Sequence, residues 1–270
     1  MVAVENVAFV FVAGLLTALA TGLGAIPFFL VDEFSDRWNV LLWGLASGIM
    51  VAASLFGLVR EGLAYGSPLL MVPGLVAGVV LVVVAHRALE DFDHSPKEFE
   101  RADFKKLLLI LGILTVHSFP EGVAVGVSFA ELGLASTTPD SVVGIAGVSV
   151  PLLAVFMTVA ISIHNVPEGT AIAIPLRSLG VSEWKMVWWA VFSSLPQPLG
   201  AVIAYYFVTL AKAFLPFGFG FAAGAMVFLV LTEFVPEALE YGNDLPGGGK
   251  RELTAGVAVG VLAMVPLAFV

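Results

Sequence analysis

The sequence predicts an all-α integral membrane protein, and three observations predict it. Of the 270 residues, 59% are hydrophobic and 12% charged, about half the charged share of an ordinary soluble domain. The apolar residues gather into eight runs, each near the roughly 20 residues that a helix rising about 1.5 Å per residue needs to cross a bilayer. Within a run the apolar residues are continuous rather than alternating, which argues against a membrane β-barrel.

Charged residues and Pro/Gly punctuation set the limits of the runs. The first covers about 6–31. It follows Glu5 and has no basic residue before it, so it reads as a span rather than a cleaved signal peptide. The second, 39–59, lies between Arg37 and Arg60; the third, 68–89, opens at Pro68 and closes around Arg87. The fourth, 107–129, begins after Lys106, and the fifth, 150–176, stops at Arg177. The sixth and seventh, 184–210 and 214–239, are separated by Lys212, and the eighth, 252–270, follows Lys250-Arg251. Residues 1–270 then form one transmembrane domain, with a polar loop at about 90–106 that holds His94 as a solvated residue.

Basic residues orient the spans. Arg37, Arg87, Lys97, Arg101, Lys105, Lys106, Arg177, Lys185, Lys250 and Arg251 follow odd-numbered spans; only Arg60 and Lys212 follow even-numbered ones. By the positive-inside rule the loop at 90–106 is cytoplasmic and both termini are extracytoplasmic in a multi-pass cell-membrane protein. A net charge of -9 argues against nucleic acid as a partner, and the absence of cysteine excludes thiolate metal sites and thiol catalysis.

Spans 2 and 7 resemble each other. Ser47-Gly-Ile-Met-Val matches Ala223-Gly-Ala-Met-Val, and Val59-Arg-Glu-Gly-Leu matches Val235-Pro-Glu-Ala-Leu at the same offset. Because the two spans run in opposite directions under the orientation above, an inverted repeat is expected, spans 1–3 against spans 6–8, around the central pair of spans 4 and 5.

The chemistry sits in that central pair. Span 4 carries His117-Ser118-Phe119-Pro120-Glu121-Gly122 and span 5 carries His164-Asn165-Val166-Pro167-Glu168-Gly169. A charged side chain at mid-span costs on the order of 2.5–3.5 kcal/mol on the insertion scale, so each copy of H-x-x-P-E-G points to function. Residues i and i+4 share a helix face, so His117 pairs with Glu121 and His164 with Glu168. Two facing helices then offer two imidazoles and two carboxylates, a donor set suited to a divalent transition metal. Pro120 and Pro167 free the carbonyls of Val116 and Ile163 and loosen the backbone there. Gly122 and Gly169 allow close approach. Glu233, near the end of span 7, reads either as a pathway residue or as a helix-end charge.

The paired motif, within eight spans whose termini lie outside, resembles the ZIP family of divalent-metal transporters. Ala46-Ser-Gly-Ile-Met50, Leu195-Pro-Gln-Pro-Leu-Gly-Ala and Ala222-Ala-Gly-Ala-Met carry the likeness into spans 2, 6 and 7. It implies a main metal site of His117, Glu121, His164 and Glu168 with Met50 as an added ligand. It also implies a neighbouring second site using Ser118, Asn165 and Gln197. Ser118 stands where the family commonly has Asn, and Gln197 where it commonly has Glu. Losing that negative charge predicts one strong site and a weak or absent second one, since neighbouring dications repel strongly at low dielectric.

The function expected is transport of zinc, or of iron, manganese, cobalt or cadmium, by alternating access. The direction, towards the cytoplasm, is implied by the resemblance. Divalent metal is substrate rather than catalytic cofactor; the bilayer is a partner and a homodimer is admissible. Two rivals share the donor set. An intramembrane zinc metallohydrolase would need a non-ligating base as in H-E-x-x-H, and that motif is absent. A metal-selective cation channel would differ only in lacking an occluded state.

Overall fold

In hydrocarbon the backbone must satisfy its own hydrogen bonds, which a long apolar run does by coiling. The computed structural model is helical along the runs and describes residues 4–31, 35–65, 68–90, 102–132, 142–145, 147–178 and 180–266. The chain begins with α1 (Val4–Leu23), which ends in a 3-10 turn, Ile26–Phe29. Helix α2 (Asp36–Ala52) widens into a π-helical stretch, Ala53–Val59, and continues as α3 (Arg60–Tyr65). Helices α4 (Pro68–Glu90) and α5 (Ala102–Ser128) follow, then a hairpin of β1 (Val142–Ile145) and β2 (Val148–Pro151). Helix α6 is Leu152–Ser178, and the next traverse is broken into α7 (Glu183–Ser193) and α8 (Pro196–Leu210). Helix α9 (Leu215–Leu229) widens into a second π-helical stretch, Val230–Phe234, and continues as α10 (Val235–Tyr241); α11 is Lys250–Ala263.

Six helical segments among the described residues are long and apolar enough to cross a membrane: 4–29, 36–65, 68–88, 152–177, 183–210 and 212–241. They coincide with six of the eight runs, which makes this a multi-pass helical membrane protein. The other two runs are helical too but are not among the six. In α5 most side chains before His117 lie outside the described residues, and α11 has 14 residues. The expected loop falls largely on 91–101, with His94, also outside the described residues; residues 102–106 belong to α5.

One small sheet interrupts the expected all-α architecture. β1 and β2 pair antiparallel, Val142 opposite Pro151 and Ile145 opposite Val148, around a turn that includes Gly147 at φ +80°. Four β-branched valines (142, 143, 148 and 150) favour extended backbone here, so the fifth run starts in a strand rather than in α6.

Apolar side chains face outward. Val72, Val76, Val80 and Val84 follow i, i+4 spacing along α4 and all are more than half exposed, a stripe suited to acyl chains. Polar side chains face inward: Thr17, Thr21, His117, Glu121, His164, Asn165, Glu168 and Gln197 are buried. Small residues permit the tight packing that places them there. Helix α2 packs on α11 and α9 packs on α4. A Cβ on Gly44 or Gly48 would collide with backbone oxygens of Leu253 and Val257, and one on Gly256 or Gly260 with those of Leu41 and Leu45. The second pair repeats the pattern, Gly220 and Gly224 against Met71 and Leu75, Gly74 and Gly78 against Phe217 and Phe221. A separate set of contacts ties α1 to α6 and α8, and α5 to α8.

Candidate metal centre

The two motif helices meet through Glu121 and His164, while their glycines face other helices. Both prolines lie inside continuous helices, Pro120 in α5 and Pro167 in α6, so the expected loosening does not become a break. Each costs one backbone bond and the turns on either side hold. Gly122 sets α5 against α8, where a Cβ would strike the carbonyl of Gln197. Gly169 sets α6 against α1, where it would strike that of Thr21.

Glu121, His164 and Glu168 converge. Each presents a ligand atom within 4.8 Å of the other two, and all three residues are buried. His164 Nε2 is 3.1 Å from Glu121 Oε1 and 3.9 Å from Glu168 Oε1. Ligands around a tetrahedral zinc at about 2.0–2.1 Å lie about 3.4 Å from one another, so these separations bracket what one ion requires. Two carboxylates in a dry site repel and lose hydration; a single dication opposes both charges at once. Glu168 Oε1 and His164 Nδ1 are buried with no hydrogen-bond partner. An acceptor left open in such a place fits a site that is filled by a cation.

Glu121 is also held from its other oxygen. Gln197 Nε2 donates to Glu121 Oε2 at 2.6 Å. Asn165 Nδ2 donates to Gln197 Oε1 at 3.1 Å and to the Thr17 carbonyl at 2.7 Å. The direction of this chain is forced, because both ends, a backbone carbonyl and a carboxylate, only accept.

The remaining candidates are placed differently. His117 is buried, with Nδ1 unpartnered, but it does not join the three converging ligands. Its electrostatic neighbour is His86. Met50 is fully buried in the main apolar core, and Ser118 is buried on α5. Glu233 sits in the second π-helical stretch, where its Oε1 is 2.8 Å from His86 Nδ1 on α4. His86 went unread in the sequence, for beside Arg87 at the end of its run it has the look of an ordinary helix-end residue. Its distinguishing signal is that it is one of only four histidines.

Comparison with known proteins gives the family. The ZIP Zinc transporter family model matches residues 143–268. The chain is 33% identical to the zinc transporter GufA of Myxococcus xanthus over 267 residues, covering 94% of this chain and 96% of that protein. It is 32% identical to the zinc transporter ZupT of Corynebacterium aurimucosum over 256 residues, 88% of this chain and 90% of that one. It is 42% identical over 224 residues to an Arabidopsis thaliana protein named for zinc transport, covering 83% of this chain but 33% of that protein, so it spans about a third of that relative's length. These relatives are named as zinc transporters, and the match to GufA runs nearly end to end in both proteins. The chain belongs to the ZIP family of zinc transporters.

Proposed function

We propose that the protein moves a divalent transition metal, zinc first among the candidates, across the membrane through the site formed by Glu121, His164 and Glu168. The observation that carries this reading is the convergence of these three buried ligands within 4.8 Å on two neighbouring helices. Imidazole favours zinc, iron and cobalt over magnesium and calcium, and the carboxylates also suit manganese; cadmium is a further candidate substrate. An entering ion exchanges bound water for one imidazole nitrogen and two carboxylate oxygens, and the water is released. Met50 or Ser118 supplies a further ligand as the site tightens, with His117 in support.

Eight spans are proposed, with α5 and α11 completing the six. The matched glycine pairs and the π-helical stretch at corresponding places in α2–α3 and α9–α10 support an inverted repeat. Alternating access then works between the α2, α4, α9, α11 group and the group of α1, α5, α6 and α8 that surrounds the site. Transport runs towards the cytoplasm, with both termini outside. Glu233 and His86 belong to the pathway beyond the site.

Uptake of dications into proteoliposomes tests the reading. Saturable zinc uptake by the unmodified protein, lost in Glu168→Ala, is expected. Uptake equal to that of empty liposomes, or unchanged by Glu168→Ala, would overturn it.

A further inference from the structure

The amide of Gln197 occupies a position that bears on how many ions the site accepts. Gln197 Nε2 lies 2.6 Å from Glu121 Oε2, on the side of that carboxylate away from His164, which approaches Oε1. Both residues are fully buried. A carboxylate that bridges two metals through its two oxygens needs both free, and here the second oxygen already accepts an N–H. The rest of the chain is similarly engaged. Asn165 Nδ2 spends its two hydrogens on the Thr17 carbonyl and on Gln197 Oε1, so Gln197 cannot turn its carbonyl towards Glu121 without facing two donors with two donors. The one acceptor left open on these two amides is Asn165 Oδ1, which is too few for a dication's coordination shell.

Resting on the transport reading above, we propose that the Gln197 amide stands in for a second cation. Its N–H dipole caps Glu121 Oε2, fixes the carboxylate so that Oε1 faces His164, and makes this a site for one ion per chain. Charge leads to the same count. Glu121 and Glu168 carry two negative charges, which one dication balances with neutral imidazole beside it; a second would leave two positive charges buried without a counter-ion. The Thr17, Asn165, Gln197, Glu121 chain crosses α1, α6, α8 and α5 in turn, so it also binds into one unit the helices that surround the ion. Gln197 is therefore a positioning residue that sets stoichiometry.

The experiment counts ions. Purified full-length protein in detergent is dialysed to equilibrium against zinc, and bound metal per chain is measured by mass spectrometry for the unmodified protein, Gln197→Glu, Gln197→Met and Glu168→Ala. One ion is expected for the unmodified protein and two for Gln197→Glu, which adds a charge and removes the donor. Gln197→Met, similar in volume, removes the donor without adding a charge and is expected to keep one ion, bound about tenfold or more weakly because Glu121 is no longer held. If Gln197→Glu does not give monodisperse protein, Asn165→Asp is used, which breaks the chain at its other amide and also adds a charge; two ions are again expected. Two ions on the unmodified protein, or one on the charge-adding variant, would overturn this inference and leave the transport reading standing. No saturable zinc on the unmodified protein, or the same count in Glu168→Ala, would overturn the transport reading itself.

Discussion

His164 Nε2 and Glu121 Oε1 lie 3.1 Å apart across the α5–α6 interface, although 43 residues separate them in the chain. The contact joins the histidine of one H-x-x-P-E-G copy to the glutamate of the other. Within the second copy, His164 is farther from its own Glu168, at 3.9 Å. The two motifs therefore meet across the interface.

This relationship ranks the ligands. His164→Ala is expected to reduce zinc uptake by well over 100-fold, as loss of a direct ligand should. His117→Ala, outside the converging three, is expected to cost about 10–100-fold, the range typical of residues that support a site. Initial uptake rates in proteoliposomes at matched protein content check the order.

Metal should also stabilise the fold. An ion that binds only the folded state adds about 2.7 kcal/mol at 100 times its Kd. Zinc is expected to raise the melting temperature in detergent, a chelator to return it to the metal-free value, and Glu168→Ala to abolish the shift. Scanning fluorimetry with and without zinc checks this.

The glycines beside the glutamates are packing contacts with a steric prediction attached. In Gly122→Ala and Gly169→Ala the new methyl group strikes backbone, of Gln197 and Thr21 respectively, rather than a side chain that can turn away. Overpacking of this kind costs about 1–3 kcal/mol. Both variants should melt lower and bind zinc more weakly, with Gly169→Ala the worse because its contact is the closer. Thermal melts and zinc titrations of the two variants provide the comparison.

The His86–Glu233 pair joins α4 to the second π-helical stretch, Val230–Phe234. Since it lies apart from the three ligands, Glu233→Gln is expected to leave the number of bound zinc ions unchanged while altering the rate of uptake. A change in ion count would instead place Glu233 in the site. Equilibrium dialysis beside initial-rate uptake separates the outcomes.

What the sequence made legible was what is costly in a membrane. Ionisable residues inside apolar runs stand out, and Glu121, His164 and Glu168 were found because hydrocarbon tolerates them only with a purpose. The mutual placement of Asn165 and Gln197 was not legible. Their hydrogen-bond chain depends on α1, α6 and α8 meeting, and nothing local in either residue records it. Nor were the π-helical stretches, since no pattern read in Ala53–Val59 or Val230–Phe234 marks a wider turn. Pro120 and Pro167 suggested looser backbone than the fold has, because one missing bond is absorbed by a helix packed on several sides. His117 was expected to match His164 from its motif alone. Identical motifs on two helices need not present identical faces, and here only one imidazole reaches the shared point.

X-ray absorption at the zinc edge of the loaded protein tests the central claim most directly. A shell of nitrogen and oxygen atoms at about 2.0–2.1 Å is expected, containing the multiple-scattering signature of an imidazole that is lost in His164→Ala and retained in His117→Ala. A zinc shell without imidazole, or one that His164→Ala leaves unchanged, would contradict it.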